Sequence, residues 1–529
     1  MIIRIATFSL VSIALFLQSF VFGSDTFELK LRHQVERSPQ EGRFHQIEKL
    51  AEWEASKTAI IVCDMWDSHH CYRAVQREKE FAPRLNELLK DARARGATII
   101  HAPSDCMKAY QSHPSRLRAI AEPAATQYPA DITNWCHQIP SEEAAAYPID
   151  QSDGGEDDSP EEHARWEAEL KAAGRNPAAP WLQQIDVLEI DPERDFITDQ
   201  GKEVWNILQN HGLTQVVIAG VHTNMCVLGR PFGLRRMALA GVDVVLVRDL
   251  TDTMYNPKAK PFVSHFSGTD LIIDHIERYV CPTVTSDQFI GGKPFRFADD
   301  KRPHVAMLIS EPEYQTQVTL PEYAEAMLRK DYRLTTVFGS ENEPDSLPGV
   351  EAIADADALI VSVRRRTPPA DQLAVIRRFV AAGKPVIGIR TASHAFSLRS
   401  DKVPNGADAW PEFDAQVFGG NYSKHYGPEL KPTITIHPKN VGHPLLAGIG
   451  QTSFPSSGSL YVVSPLGERT EVLMMGSIPE QMPEPVAWTN EREGGGRSFY
   501  TSLGAVDDFK NEAFRQLLFN AVRWATAAR

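Results

Sequence analysis

The spacing of hydrophobic positions between Thr58 and Val247 alternates between two periods. Short β-branched runs predict strands buried on both faces, and they cover residues 58–63, 97–101, 215–219 and 242–247. Apolar positions at helical spacing predict helices between them, over residues 80–96, 202–211 and 226–240. Gly96, Gly212 and Gly241 end these helices. The pattern predicts a doubly wound, mostly parallel sheet with helices on both faces.

A second series of the same kind follows residues 287–303, which are rich in glycine, proline and charge and are typical of a linker. Strands are predicted at residues 304–309, 358–363 and 385–389, and helices at residues 320–330, 371–382 and 511–528. The 529 residues are also too many for one core. We therefore predict two three-layer α/β/α domains, at residues 25–290 and 304–529.

The alternation fails between Ala121 and Trp181, where proline, aspartate, glutamate and alanine dominate. We interpret residues 121–181 as an insertion that forms a lid or an excursion at the sheet edge. Its acidic run, Asp150 to Asp158, lacks the ligand spacing of an EF-hand. We interpret the run as a solvated loop.

The N-terminus has a different character. Arg4 precedes an apolar run, Ile5 to Phe22, and the small residues Gly23 and Ser24 follow it. This order is typical of a cleaved signal peptide over residues 1–24. The alternative is a retained anchor, although serine and glutamine dilute a run barely long enough to span a bilayer. We expect an exported protein, periplasmic or secreted.

Charge and cysteine usage narrow the classes of partner. The net charge is −14, which argues against nucleic acid or an anionic membrane as the main partner. We expect a small-molecule substrate, no nucleic acid, no membrane after signal cleavage, and leave oligomerisation open. No CxxC pair occurs, so a structural zinc site of the usual spacing is not expected. All six cysteines lie in the first 281 residues: Cys63, Cys71, Cys106, Cys136, Cys226 and Cys281.

Two residues with reactive side chains lie at predicted strand ends. Asp64 follows the strand at 58–63, and Cys226 follows the strand at 215–219 and opens the next helix. Sites form at the carboxyl ends of parallel strands, and a helix N-terminus favours the thiolate form of cysteine. The carboxylate could take the thiol proton, and backbone N–H groups could face an oxyanion. The alternatives are a buried cysteine and a helix-capping aspartate.

Three segments, residues 60–70, 97–105 and 216–249, resemble successive blocks of the isochorismatase-like cysteine hydrolase superfamily. The turn with Gly220, Thr223, Cys226 and Val227 is the most specific of these features. The resemblance covers residues 55–285 and implies Cys226 as nucleophile and Asp64 as its acid/base partner in hydrolysis of a small amide-type C–N bond. It also implies a non-proline cis peptide bond just before Thr223. The candidate residues of the oxyanion site and substrate pocket are Met225, Thr223, His222, Trp66, His70 and Arg194.

One departure from the superfamily concerns its catalytic lysine. Asp191 stands where lysine is expected, Arg194 is the only cation close by, and Lys202 comes later on the predicted helix. Either another cation replaces the lysine, or catalysis is altered or lost. The histidines near the first strand do not have the Asp-x-His spacing of metal-binding members, so we predict neither a metal nor a cofactor.

Residues 304–529 resemble the ThuA-like (trehalose-utilisation) family, a relative of class I glutamine amidotransferase domains. The resemblance rests on five segments: residues 385–396, 417–427, 434–449, 485–504 and 514–525. The turn after the 385–389 strand has no cysteine, and neither has the rest of this domain, so thiolate glutaminase chemistry is excluded. A polyol or sugar pocket and a purely structural role are both open. The candidate pocket residues are His394, His425, His437, Trp410 and Tyr422.

Three functions are compatible with the sequence. The first is an exported cysteine hydrolase with an appended ThuA-like domain. The second is a catalytically degenerate binding protein for a carbohydrate-related ligand. The third is an exported protein with a redox-active thiol.

Overall fold

The computed structural model describes residues 25–399 and 402–527, so the predicted signal peptide lies outside the described residues. Two large sheets, one of eight strands and one of nine, organise the chain. Buried apolar side chains cover both faces of each sheet. The predicted class, two α/β domains with mostly parallel strands, is confirmed.

The first sheet has the strand order β2-β1-β8-β7-β6-β3-β4-β5. Its strands are β1 (Thr26–Glu36), β2 (Phe44–Glu54), β3 (Thr58–Cys63), β4 (Thr98–Ala102), β5 (Phe196–Ile197), β6 (Gln215–Val221), β7 (Asp243–Asp252) and β8 (Thr283–Val284). From β8 to β5 all neighbours are parallel, whereas β1 and β2 form an antiparallel hairpin at one edge. The hairpin was not predicted, because its strands are only partly buried and each carries four charged residues among its 11 positions.

Seven α-helices accompany this sheet. They are α1 (Tyr72–Ala94), α2 (Pro114–Ala121), α3 (Pro160–Ala172), α4 (Gly201–Asn210), α5 (Leu234–Leu239), α6 (His265–Tyr279) and α7 (Asp287–Ile290). The single helix predicted over residues 226–240 is wrong. The chain forms a π-helical turn, Thr223–Val227, and α5 begins only at Leu234, because Pro231 has no N–H to donate within a helix.

The acidic run of the insertion is bound rather than solvated at its end. Asp158 accepts hydrogen bonds from the amides of Tyr72 (2.6 Å) and Arg73 (2.9 Å), and therefore caps α1. Asp157 is buried in an ion pair with Arg77 at 2.9 Å. The cap explains why α1 begins at Tyr72, eight residues before the predicted helix.

The second sheet has the order β10-β9-β11-β12-β19-β18-β17-β14-β15. Its strands are β9 (His304–Ser310), β10 (Arg333–Phe338), β11 (Ala358–Val363), β12 (Val386–Ile389), β14 (Thr433–Ile436), β15 (Ser453–Pro455), β17 (Thr470–Ser477), β18 (Glu484–Glu491) and β19 (Arg497–Thr501), and β13 (Lys424–His425) pairs separately with β16 (Tyr461–Val462). Strands from β10 to β19 are parallel, and the remainder is antiparallel.

The helices of this half are α8 (Thr316–Met327), α9 (Ala370–Ala381) and α10 (Glu512–Thr526). The segment predicted as a linker packs against its neighbours at its end. Arg302 binds Asp300 at 2.7 Å and Asp270 of α6 at 2.9 Å. Within the described residues, no helix has the length and apolar character needed to cross a bilayer.

Candidate functional site

Asp64 lies immediately after β3 and is completely buried. Its backbone has a φ of 46°, in the left-handed region that few non-glycine residues adopt. The amide of Ser104, just after β4, donates to its Oδ1 at 2.7 Å. Two strand ends therefore fix the position of this carboxylate.

Cys226 lies in the π-helical turn after β6 and is 9% exposed. The carboxylate of Asp64 and the guanidinium of Arg230 lie next to its thiol, and their charges act on it in opposite directions. The close approach of β6 to β3 at this point depends on Gly220, where a Cβ would stand 2.0 Å from the carbonyl oxygen of Cys63. The structure thus brings the predicted cysteine and aspartate together at one edge of the sheet.

Arg230 is the cation of this site. Its Nε lies 2.9 Å from Oδ2 of Asp64, and its guanidinium lies 5.5 Å from the ring centre of Trp135 in the insertion. Its amide donates to the carbonyl oxygen of Cys226 at 3.0 Å, so it follows the cysteine by one turn of chain. Sequence reasoning did not identify Arg230, although its spacing of four residues from Cys226 could have indicated it.

Arg194, the cation predicted for this site, lies elsewhere. Its side chain is 59% exposed and binds Asp191 at 2.8 Å. Both residues line a surface cavity with Lys90 and Arg93, beside the C-terminal end of α1. The prediction that Arg194 lines the substrate pocket is wrong, because the chain before β5 lies at the opposite end of the strands from Cys226.

The electrostatics of the site keep a proton on the sulfur. Burial raises the pKa of the Cys226 thiol well above its usual value, Asp64 raises it further, and Arg230 opposes both. Burial also raises the pKa of Asp64, while Arg230 and the Cys226 and Ser104 hydrogen bonds act against it. Burial thus disfavours the thiolate that the predicted helix N-terminus led us to expect. Arg230 favours the charged forms of both Cys226 and Asp64.

Aromatic rings cluster beside these three groups. The Trp66 ring stacks on Trp181 at 4.7 Å, and the His69 ring lies 4.7 Å from His222 and 4.0 Å from His70. Burial lowers the pKa of His222 to about 3, so its imidazole is neutral. Trp66, His70 and His222 thus belong to one cluster of rings, which Trp181 at the boundary of the insertion completes.

The turn that carries Cys226 is held by its own side chains. The hydroxyl of Thr223 is buried against Thr251 Oγ1 (2.7 Å) and the carbonyl oxygen of Asp252 (2.9 Å), so it does not line a pocket. The amide of Met225 donates to the carbonyl oxygen of His222 at 3.0 Å and is not free to face a substrate. A cis peptide bond joins Val221 to His222, directly before Thr223.

A cavity of about 460 Å³ lies beside this turn, between the insertion and α6. Met225 and Asn224 form its wall on the side of Cys226. Glu142 of the insertion binds Arg235 at 2.7 Å and His275 at 2.8 Å. Glu142, Arg235 and His275 line the cavity, and its other lining residues are Trp135, His137, Gln138, Ala145, Tyr147 and Gln151.

The described residues contain two groups of potential metal ligands near α1. The first combines Cys71 with Asp157 and Asp158. Their carboxylates are already used by Arg77 and by the N-terminus of α1, and a guanidinium beside the ligands repels a cation. The second group consists of Glu156, Asp158 and His163. It is partly exposed, and His163 forms an ion pair with Glu156. Neither group fits a metal.

In the second sheet, three of the five predicted pocket residues lie around Tyr461. The His394 ring stacks on Tyr422 at 4.6 Å, Tyr422 lies 4.6 Å from Tyr461, and His425 lies 6.3 Å from Tyr461. Two predictions are wrong. Trp410 is buried against Phe413 under Arg377, and His437 lies after β14, where its amide bonds to Leu473.

Each half of the chain matches the sequence model of a known protein family. Residues 183–266 match the family model described as isochorismatase domain, and residues 310–525 match the model described as trehalose utilisation, ThuA. The chain joins an isochorismatase-type region to a ThuA-type region. The first match is narrower than the predicted span of residues 55–285. It contains Cys226 and Arg230 but not Asp64.

Solved structures with similar halves include a ThuA-like protein from Parabacteroides merdae, 14% identical, with a TM-score of 0.33 over 43% of this chain and 91% of that chain. A cysteine hydrolase from Pseudomonas syringae is 17% identical, with a TM-score of 0.28 over 45% and 92%. An isochorismatase family protein from Burkholderia thailandensis is 15% identical, with a TM-score of 0.25 over 44% and 93%. A search of curated proteins gave no match.

The ion pairs of Glu142 predict a stability effect in the isochorismatase-type region. Burial alone would raise the pKa of Glu142, but hydrogen bonds from His275 and Arg235 lower it to about 2. Glu142→Gln leaves Arg235, which is 6% exposed, without its carboxylate, and we expect a loss of about 3 kcal/mol in unfolding free energy. Glu143→Gln, at the exposed neighbouring position, is the matched control. Equal denaturation midpoints for the two variants would disprove this role.

Buried neutral histidines predict a loss of stability in acid. The folded pKa of His222 is lowered to about 3 from 6.5, so the unfolded chain binds the proton first as the pH falls. At about pH 4.5 the cost from His222 is about 3 kcal/mol. We expect the unfolding temperature to fall from pH 6.5 downwards, and to fall less in His222→Gln than in His137→Gln, an exposed control. Parallel pH profiles would show that His222 is not responsible.

Proposed function

We propose that the isochorismatase-type region hydrolyses a small amide-type C–N bond with Cys226 as its nucleophile. The position of the Cys226 thiol beside the Asp64–Arg230 ion pair carries this proposal. A nucleophile within hydrogen-bonding reach of a base, with the base oriented by a third group, is the arrangement that covalent catalysis requires. The match of residues 183–266 to the isochorismatase model supports the assignment.

The reaction needs one proton to move twice. Asp64 takes the thiol proton as the sulfur attacks the carbonyl carbon, and gives it to the leaving nitrogen as the C–N bond breaks. The product is a thioester on Cys226 and a free amine or ammonia. Asp64 then takes a proton from water, the hydroxide attacks the thioester, and the sulfur recovers its proton when the acid leaves.

Arg230 replaces the missing lysine in this proposal. Its positive charge keeps Asp64 ionised in a buried position, where a lone carboxylate would bind a proton. It also offsets the negative charge shared by Cys226 and Asp64 while the proton moves from the sulfur to the carboxylate. Backbone amides of the turn, that of Cys226 first, would hold the oxyanion.

The degenerate-enzyme alternative was motivated by the absence of a cation, and Arg230 removes that motive. The redox alternative needs a thiol that reacts in exchange, whereas Cys226 is 9% exposed and its pKa is raised. The N-terminal pattern supports the further proposal that the hydrolase acts outside the cytoplasm.

The test is a screen of small amides and ureides for release of ammonia or amine by the full chain. We expect wild type and Cys281→Ala, which removes a buried cysteine outside the site, to hydrolyse the same compound. We expect Cys226→Ala to lose at least about a thousandfold in rate. Turnover that persists in Cys226→Ala, or no hydrolysis of any amide by wild type, would overturn the proposal.

A further inference from the structure

The carboxyl ends of β11 and β12 in the ThuA-type region carry an accumulation of arginines. Arg364 and Arg365 directly follow β11, and Arg390 directly follows β12. Arg390 stands at the turn where a thiolate amidotransferase needs its cysteine. The ends of adjacent parallel strands lie at one edge of the sheet, where ligands bind in such folds.

Arg390 is fixed in place without a carboxylate partner. It is 1% exposed, its guanidinium lies between the rings of Tyr314 (4.1 Å) and Tyr461 (4.7 Å), and its φ is 45°. Its hydrogen bonds go to the carbonyl oxygen of Ser502 at 2.6 Å and to oxygens of Ser459 and Tyr314. These hydrogen-bond partners are neutral, so no carboxylate pairs directly with this cation.

Arg365 has a buried nitrogen with no partner. Its Nε is enclosed and makes no hydrogen bond, and its Nη1 reaches only the carbonyl oxygen of Ser397 at 3.4 Å. Its backbone, with a φ of 50°, donates to the carbonyl oxygen of His394 at 3.0 Å. Among the described residues, no carboxylate lies within ion-pair distance of Arg365 or Arg390, whereas Arg364 binds Glu313 at 2.5 Å.

His394 lies among these cations. Its ring is 6% exposed, stacks on Tyr422, and bonds through Nδ1 to the hydroxyl of Ser393 at 3.1 Å. Burial first, and then the charges of Arg365, Arg364, Arg390 and Arg399, lower the pKa of His394 to about 3. The imidazole is therefore a neutral hydrogen-bonding group among several positive charges.

An unpaired guanidinium nitrogen in an enclosed position and several arginines around one imidazole are unfavourable unless an anion joins them. The planar fork of arginine pairs best with carboxylate or phosphate oxygens. We infer that this cluster of Arg365, Arg390, His394 and Tyr422 at the strand ends binds a small organic anion through a carboxylate or phosphate group. This second site is separate from the proposed hydrolase site and goes beyond its function.

The test is titration calorimetry on full-length Cys226→Ala protein, in which turnover at the first site contributes no heat. The probes are inorganic phosphate, D-glucose 6-phosphate and D-glucuronate, with neutral D-glucose as the matched sugar. We expect at least one anion to bind and glucose not to bind. Preference for glucuronate over the phosphates identifies the group as carboxylate, and the reverse preference identifies it as phosphate.

Arg365→Gln removes one charge and is expected to weaken anion binding by at least about tenfold. Arg378→Gln, an exposed arginine on α9, is the matched control and should leave binding unchanged. If Arg365→Gln does not fold, suppression of binding by added sodium chloride in the folded parent protein tests the same charge interaction. Absence of binding for every anion, equal binding of glucose, or equal affinities of the parent and folded Arg365→Gln would overturn the inference.

Discussion

Arg230→Gln is expected to slow amide hydrolysis at least about a hundredfold. Without the guanidinium, Asp64 lies buried beside the thiol with no cation, so its pKa rises and it no longer acts as a base near neutral pH. Arg230→Lys restores the charge and should recover part of the rate. The measurement is kcat/KM for the amide identified in the screen.

The control for this prediction is Arg194→Gln. Arg194 is an exposed cation paired with Asp191 at the other end of the sheet, and its loss should leave kcat/KM unchanged. Equal rates for Arg230→Gln and wild type would show that the enzyme works without a cation. A large loss in Arg194→Gln would show that the catalytic cation has been assigned to the wrong residue.

Asp64→Asn is expected to lower the rate of hydrolysis and to raise the rate at which Cys226 is alkylated. Hydrolysis should fall by at least about a thousandfold, because the amide cannot take the thiol proton. Alkylation of Cys226 by iodoacetamide near neutral pH should become faster, by about tenfold, because a negative neighbour is removed while Arg230 remains. The measurement is the rate of carbamidomethylation at Cys226, followed by peptide mass spectrometry.

Opposite changes in the rates of hydrolysis and alkylation distinguish a catalytic role of Asp64 from a purely structural one. A carboxylate that only caps the turn through Ser104 would, when replaced, disturb the site and lower both rates. Arg230→Gln provides the inverse comparison, since loss of the cation should slow alkylation as well as hydrolysis. Slower alkylation in folded Asp64→Asn would contradict the electrostatic assignment.

The meeting of Cys226 and Asp64 could be predicted from sequence because strand ends in a parallel sheet share an edge. Arg230 could not be found from the strand ends, and only its spacing of four residues from Cys226 pointed to it. The expected lysine belongs to another strand, whereas Arg230 comes from the irregular chain after the nucleophile, which was predicted as an unbroken helix. Pro231 and the π-helical turn change where that side chain points.

The wall of the site shows a second limit of sequence reasoning. Trp66 was expected in the pocket, but its stacking partner Trp181 follows a long insertion whose path has no periodicity to read. In the second domain the parallel strands β9, β11 and β12 were predicted from buried apolar runs, whereas β10, β19 and the antiparallel strands were not. Strands such as β10, β14 and β17 are only partly buried and carry mixed polarity, so their patterns are weak.

The most direct test of the account is the location of the covalent intermediate. Wild-type protein mixed with its amide substrate, quenched in acid and digested, should yield the peptide of Cys226 with the mass of the acyl group added. We expect this adduct on Cys226 in wild type and no adduct in Cys226→Ala. An acyl group on Cys63 or another residue, or product formation with no adduct under conditions where deacylation limits the rate, would contradict it.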